Sequence, residues 1–167
     1  MELFHYLDNI EKKLQGNFDL HRNYMINNTY YNLFAEYHLR NEKYIFTRKA
    51  VVYAFENNEY TLIKYCDILN KHKLDEFISE AVNSVKFIVK PGKEHMSSIV
   101  TLVIASGDIF KEDLIEIKKT ILHFSYNKGF AFGFKGWADM RLILISLKEG
   151  LIAANKKGKE VTSIYNF

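Results

Sequence analysis

The sequence predicts an α+β fold in which a mostly antiparallel sheet packs against about three helices on one of its faces. Three stretches place apolar residues at the spacing of one helix face. Most other apolar residues lie in short runs rich in β-branched and aromatic side chains, bounded by turn residues. Short connections between the first of these runs favour antiparallel neighbours. The predicted order of elements is α-βββ-α-β-α-βββ.

The N-terminal part of the chain predicts one helix followed by three strands. Residues 1–15 carry apolar side chains on one helix face, and Gly16 ends the pattern. We expect the strands at residues 31–39, 43–55 and 60–66, with turns at residues 40–42 and 57–58. Residues 18–29 are polar with scattered aromatic side chains and receive no assignment.

The remainder predicts two more helices, a central strand between them and a last group of strands, for which the sequence offers four candidates. Residues 73–87 show the clearest helical pattern, and Asp108 is placed to cap a second helix that continues through Leu122. The run 99–105 is apolar on both faces, which predicts a central strand. The other strand candidates follow the last helix: residues 129–134, 140–147, 151–154 and 161–167.

A faint internal repeat relates the two halves of the chain. Residues 59–63 can be aligned with residues 160–164, and both segments follow a turn rich in Asn. The match predicts two α-βββ pseudo-repeats joined by a central strand. The alternative is that two hairpins share common strand chemistry.

Size and charge limit the class of protein. A chain of 167 residues with 48% apolar residues predicts one globular domain, residues 1–167, rather than disorder. A net charge of +3 is too small to favour a nucleic acid as partner. The apolar runs are too short to cross a bilayer, and acidic residues near the N-terminus argue against a secretory signal. We therefore expect a cytoplasmic protein without a membrane partner. The sequence identifies no partner and is compatible with a homo-oligomer.

Metal and cofactor chemistry receive no support from the sequence. Cys66 is the single cysteine, so neither an internal disulfide nor a thiolate cluster can form, and a buried thiol is the favoured interpretation. The six histidines show no metal-ligand spacing. Nucleotide-binding glycine loops and a serine nucleophile elbow are also missing, so we predict no metal, no cofactor and no catalytic residue.

One segment combines several side chains suited to ligand binding. Around Gly136 it concentrates the single Trp, a carboxylate and two cations: Lys135, Trp137, Asp139 and Arg141. Trp137 would supply a stacking surface, and Asp139 and Arg141 would orient a polar ligand. A ligand site predicts that Trp137 is partly exposed beside a cleft, whereas a structural corner predicts that it is buried.

Glu94 and His95 form the best acid/base pair in the sequence. They follow the turn at Pro91 and Gly92, and if a ligand site exists we expect His95 or Glu94 to lie within reach of Trp137 across the cleft. The alternative is a solvated loop pair.

Residues 128–132 resemble part of the RNA-recognition motif, in which exposed aromatic rings stack on unpaired bases. Lys128, Phe130 and Phe132 are the candidate contacts. The resemblance ends at Gly133, and the expected stacking aromatic is missing from the strand 99–105. The alternative is a hairpin whose phenylalanines enter the core.

Four longer stretches carry a second resemblance: residues 53–60, 94–97, 132–144 and 155–161. They are similar to a family of small uncharacterised proteins from low-GC Gram-positive bacteria. The family has no assigned activity, so the resemblance implies no catalytic residue.

Three hypotheses follow for function. The first is a non-enzymatic binding or regulatory domain, because no set of nucleophile, base and orienting group can be assembled. The second is a hydrolase or nuclease that uses Glu94, His95, Asp139 and Arg141. The third is a binder of RNA or single-stranded nucleic acid through Phe130 and Phe132.

Overall fold

The computed structural model describes residues 2–44 and 51–167. The helices among these residues are α1 (Leu3–Leu14), α2 (Lys71–Ile88), α3 (Leu114–His123) and α4 (Thr162–Tyr165). The strands are β1 (Asp19–Ile26), β2 (Thr29–Tyr44), β3 (Val51–Leu69), β4 (His95–Ile109), β5 (Asn127–Gly129), β6 (Trp137–Ser146) and β7 (Ile152–Ala154). No helix within this part of the chain has the length and hydropathy needed to span a membrane.

The strands form one mixed sheet of seven strands in the order β1-β2-β3-β4-β6-β5, with β7 paired to β6. Strands β1 to β3 are antiparallel, whereas β3, β4 and β6 run parallel. The prediction of a mostly antiparallel sheet with about three helices is therefore wrong, since the described residues contain four α-helices and a mixed sheet. The reason is that α2 and α3 serve as crossovers, and a crossover helix returns the chain to a parallel neighbour.

Helices cover both faces of the sheet, which corrects the expected one-sided arrangement. Helices α2 and α3 bury Leu74, Phe77 and Ile117 against one face, which we call the α2 face. Helices α1 and α4 bury Ile10 and Tyr165 against the other, the α1 face. Each face therefore has its own hydrophobic core.

Strand β4 lies at the centre of the sheet between β3 and β6. Its residues alternate between the two cores: Leu102 and Ile104 enter the core on the α2 face, and Val103 and Ala105 enter the core on the α1 face. All four side chains have no exposed surface. The continuous apolar run is thus that of a parallel strand buried on both sides.

The C-terminal segment overturns the predicted last strand and the internal repeat. Residues 158–161 form a 3₁₀ turn and residues 162–165 form α4, whereas residues 59–63 lie within β3. The Tyr165 ring is buried, and its hydroxyl lies 2.7 Å from the Thr61 hydroxyl. This contact holds the segment as a helix over the sheet, so the two halves are not α-βββ repeats.

The antiparallel pair β2–β3 is longer than the sequence indicated. Strands β2 and β3 pair from Leu33 opposite Ile63 outwards, and the predicted turns at residues 40–42 and 57–58 lie inside these strands. Residues 45–50 of the predicted strand 43–55 lie outside the described residues. The unassigned stretch 18–29 contains β1, which is the edge strand next to β2.

Candidate functional site

Residues 130–136, which we call the aromatic loop, connect β5 to β6 and are closed by backbone hydrogen bonds. The amide of Phe130 donates to the carbonyl of Gly136 at 2.9 Å, and the amide of Lys135 donates back to the carbonyl of Phe130 at 3.1 Å. Strands β5 and β6 pair directly beneath, with Gly129 opposite Trp137. The loop therefore has a defined shape imposed from its base. This replaces the strand predicted at residues 129–134.

The loop presents two phenylalanine side chains to solvent. Phe132 is fully exposed and Phe134 is 88% exposed. Ala131 and Phe132 also adopt left-handed backbone angles, with φ of 47° and 56°. Such angles cost residues with a side chain about 1–2 kcal/mol each. A conformation that is strained and exposes two aromatic rings points to a binding role, because strain of this kind concentrates at functional sites.

A cleft of about 240 Å³ lies beside the loop. The residues that line it come from the loop, from the start of β6 and from the turn before β4: Lys93, Glu94, His95, Met96, Gly133, Phe134, Gly136 and Trp137. Trp137 is 38% exposed, so it is not a buried structural plug. The cleft thus brings together Trp137, Glu94 and His95, which sequence analysis placed in one candidate site.

His95 is a buried anchor for the loop. Its Nδ1 donates to the carbonyl of Lys135 at 2.7 Å, and its Nε2 bonds the hydroxyl of Ser98 at 2.9 Å. The Phe130 ring packs edge-on against the imidazole at 5.8 Å. Because both ring nitrogens are engaged and only 4% of the residue is exposed, His95 fixes the loop rather than facing the cleft as a free base.

Asp139 and Arg141 lie apart from His95. Along β6 they alternate with Met140, which enters the core on the α2 face, so both point to the α1 face. His95 bonds Ser98, which pairs with Ala138 and lies on the α2 face. The sheet therefore separates the four residues proposed for an enzyme.

Asp139 is held by hydrogen bonds and ion pairs. The amide of Asn127 donates to its carboxylate at 2.7 Å, and the ammonium of Lys157 lies 2.5 Å from it. Burial alone would raise the pKa of Asp139, but the bonds from Asn127 and Lys157 and the charge of Arg141 lower the pKa below its usual value of 3.8. Asp139 is therefore a structural anion.

Arg141 and Glu94 also have partners within the chain. Arg141 donates to Glu59 at 3.2 Å and lies 3.6 Å from a carboxylate oxygen of Glu160. Glu94 accepts from Arg40 at 3.2 Å and is itself exposed at the rim of the cleft. Both side chains are thus committed to contacts that join separate elements.

The three nucleic-acid candidates have different environments. The Lys128 ammonium lies over the Phe130 ring at 5.5 Å, and that ring packs against the core on the α2 face. Phe132 stands alone in solvent. Residues 131–133 form a 3₁₀ turn, so Phe130 and Phe132 do not share a strand face as they do in the RNA-recognition motif.

Sequence analysis missed Phe134 and Met96, which are 88% and 42% exposed at the cleft. The available signal was the position of Phe134 between two glycines, Gly133 and Gly136, which allow a loop with positive φ. Among the described residues, no group of three or more His, Cys, Asp or Glu side chains could hold a metal ion.

Residues 3–167 match the family described as domain of unknown function DUF8052, so the chain belongs to that family. This confirms the resemblance to an uncharacterised family. No curated protein and no solved structure matches the chain.

Proposed function

We propose that this member of the DUF8052 family is a non-enzymatic binding domain that captures a partner protein on its aromatic loop. The observation that carries the proposal is the exposure of Phe132 and Phe134 on a loop closed by hydrogen bonds. The proposal includes a cytoplasmic location in a low-GC Gram-positive bacterium. The abundance of Lys, Asn and Ile beside a single Pro supports that origin, because AT-rich genomes favour these codons.

The energetics support a binding role. Burying a phenylalanine side chain stabilises a protein by about 1.5–3 kcal/mol. The unbound protein lacks this stabilisation at both Phe132 and Phe134. It also bears the left-handed backbone angles of Ala131 and Phe132. A partner that covers both rings would recover the burial energy without ordering the loop, since the loop is already closed.

The chemistry of the partner follows from the surroundings of the two rings. Trp137 and Met96 extend the apolar surface into the cleft, and Lys93 stands at its edge. Lys128 and Lys135 are exposed at the ends of the loop. A protein segment with an apolar side chain next to carboxylates would complement this surface.

The engaged candidate groups support a non-enzymatic function. His95, Asp139 and Arg141 are bonded to other parts of the chain, and the sheet places Asp139 and Arg141 on the face opposite His95. Acid–base catalysis needs a group whose proton can reach a substrate. Here the same side chains hold the loop and the β6 strand in place.

Single-stranded nucleic acid is the second candidate partner. Lys128 and Lys135 flank the exposed rings. Aromatic rings can stack on bases while neighbouring cations neutralise the phosphates. The Phe130 ring, one of the two predicted to stack on bases, packs against His95 instead, and the net charge is only +3. These two features favour a protein partner.

The test begins with a photo-reactive amino acid at position 132, which crosslinks the partner in cells and identifies it. Calorimetry with the purified partner then compares the wild type with Phe132→Ser and Phe134→Ser. We expect each substitution to weaken binding at least roughly tenfold, because about 1.4 kcal/mol corresponds to a factor of ten. Melting temperatures should stay near that of the wild type, since both rings are exposed.

Ile115→Ser is the matched control, because Ile115 is 83% exposed on α3, away from the loop. It should leave affinity unchanged. Salt-dependent binding of an oligothymidine that is lost in Phe132→Ser would replace the protein partner by a nucleic acid. Unchanged affinity of both loop variants for the crosslinked partner would refute the proposal.

A further inference from the structure

A second concave site lies on the α2 face, over β1 to β3 and next to the C-terminal end of α2. It consists of two adjoining depressions of about 360 Å³ and 220 Å³, which share Glu36, Ile88 and Lys90 in their walls. We call it the β1–β3 cleft. Its size is at the lower end of the range for small-molecule sites, roughly 300–1,000 Å³.

One wall of the cleft is a row of aromatic rings that crosses three strands. The Tyr24 ring stacks on Phe34 with centroids 4.9 Å apart, and Phe34 in turn faces Tyr60 at 6.3 Å with an angle of 9° between the rings. Phe34 and Tyr60 are almost fully buried, while Tyr24 is 38% exposed at the mouth. A further ring could continue this row in the same orientation.

The floor of the cleft carries a polar network. His38 lies 2.8 Å from the side-chain oxygen of Asn58 through Nδ1 and 3.1 Å from Glu36 through Nε2. Asn58 is only 7% exposed. Burial raises the pKa of the Tyr60 hydroxyl to about 12, with the charges of Glu36 and Glu56 adding to the effect. The negative charges of Glu36 and Glu56 therefore both influence the Tyr60 hydroxyl in the cleft.

Two charged groups in the smaller depression are not paired with each other. Glu56 and Lys90 both line it, yet within the described residues neither forms an ion pair. Arg40, which opposes Glu56 across the strands, forms an ion pair with Glu94. An anion and a cation that lack an ion-pair partner among the described residues, and that line one cleft, present complementary charges to a zwitterion.

We infer that the β1–β3 cleft binds a small aromatic zwitterion of the α-amino acid class. The ammonium group would lie between Glu56 and Glu36, the carboxylate would bind Lys90, and the aromatic side chain would extend the row formed by Tyr24, Phe34 and Tyr60. This site is distinct from the aromatic loop and does not depend on the function proposed for it.

The test uses L-phenylalanine as the probe and follows the tyrosine ring resonances by NMR titration. We expect saturable shifts of Tyr24 and Tyr60. Phenethylamine lacks the carboxylate and 3-phenylpropionate lacks the ammonium, so each should bind at least roughly tenfold more weakly. Lys90→Met should remove the preference of the protein for L-phenylalanine over phenethylamine. Glu56→Gln should remove the preference of the protein for L-phenylalanine over 3-phenylpropionate.

The matched controls are Lys86→Met and Glu76→Gln, which remove the same charges from exposed positions of α2. Both should bind L-phenylalanine like the wild type, and so should Phe132→Ser, which keeps this test separate from that of the aromatic loop. Absence of saturable shifts with L-phenylalanine would overturn the inference. Equal affinity for phenethylamine, or equal loss in Lys86→Met and Lys90→Met, would overturn it as well.

Discussion

At the scale of single residues, Gly136 decides the shape of the aromatic loop. Its φ is +76°, and a Cβ atom there would lie 2.4 Å from the carbonyl oxygen of Met96 and 2.6 Å from Nδ1 of His95. Gly136→Ala must therefore displace backbone or break the bond from His95 to Lys135. We expect a loss of stability clearly greater than the roughly 1–2 kcal/mol that a left-handed alanine costs.

Gly133→Ala provides the comparison, because Gly133 has a φ of +91° but no atom of the described residues beyond its two chain neighbours lies within 4 Å of the position that an added Cβ would take. That variant should show the backbone cost alone. Urea unfolding measures both free energies of unfolding, and the imidazole resonances of His95 report the loop. Equal losses in the two variants would mean that the close contacts at Gly136 do not hold the loop.

The candidate site was predictable from the sequence only in part, for reasons that concern individual residues. The sequence singles out Trp137 as part of an unusual segment beside a glycine, and Glu94 and His95 as an acid/base pair after a turn; all three line one cleft. The exposure of Phe134 was missed, because the glycines beside it indicate a loop but not the left-handed angles at Ala131 and Phe132, which such residues seldom adopt. The cleft over β1 to β3 was missed because its residues converge only after three strands pair.

At the scale of elements, the sequence predicts those parts whose local pattern agrees with their packing. The apolar spacing of α2 and the doubly apolar run of β4 each match the burial seen in the fold. The C-terminal segment differs, because its β-branched residues favour a strand while the buried Tyr165 holds a helix against the sheet. Tertiary contact overrides local propensity there.

This contact gives α4 a testable role. Burial raises the pKa of the Tyr165 hydroxyl, which stays neutral and bonds the hydroxyl of Thr61 at 2.7 Å. Tyr165→Phe would leave the Thr61 hydroxyl, which is 1% exposed, without this partner. We expect a loss of about 1–3 kcal/mol in the free energy of unfolding, measured with urea.

The double variant Thr61→Val with Tyr165→Phe removes both hydroxyls and serves as the control. It should lose less stability than the sum of the two single variants, because the Thr61 hydroxyl is then no longer left buried without this partner. Additive losses would show that the hydroxyl contact does not secure α4.

At the scale of the whole molecule, two groups with shifted pKa values make the stability of the fold depend on pH, one at high pH and the other at low pH. Burial alone would lower the pKa of His38, but its hydrogen bonds to Asn58 and Glu36 outweigh that effect and raise the pKa above 6.5. The pKa of Asp139 is lowered below 3.8 in the folded chain. One group therefore favours folding when it is protonated and the other when it is ionised.

The signs define a pH window. The contribution of His38 is fully present below its unfolded pKa of 6.5 and is lost as the pH rises through the higher folded value. The contribution of Asp139 is present above its unfolded pKa of 3.8 and is lost as the pH falls through the lower folded value. Between these two values both contributions are complete, so the free energy of unfolding should be greatest there. Urea unfolding across the pH range should show that His38→Gln flattens the decline on the alkaline side and that Asp139→Asn flattens the decline on the acidic side. A stability difference between wild type and His38→Gln that does not change with pH would show that the bonds to Asn58 and Glu36 do not favour the imidazolium.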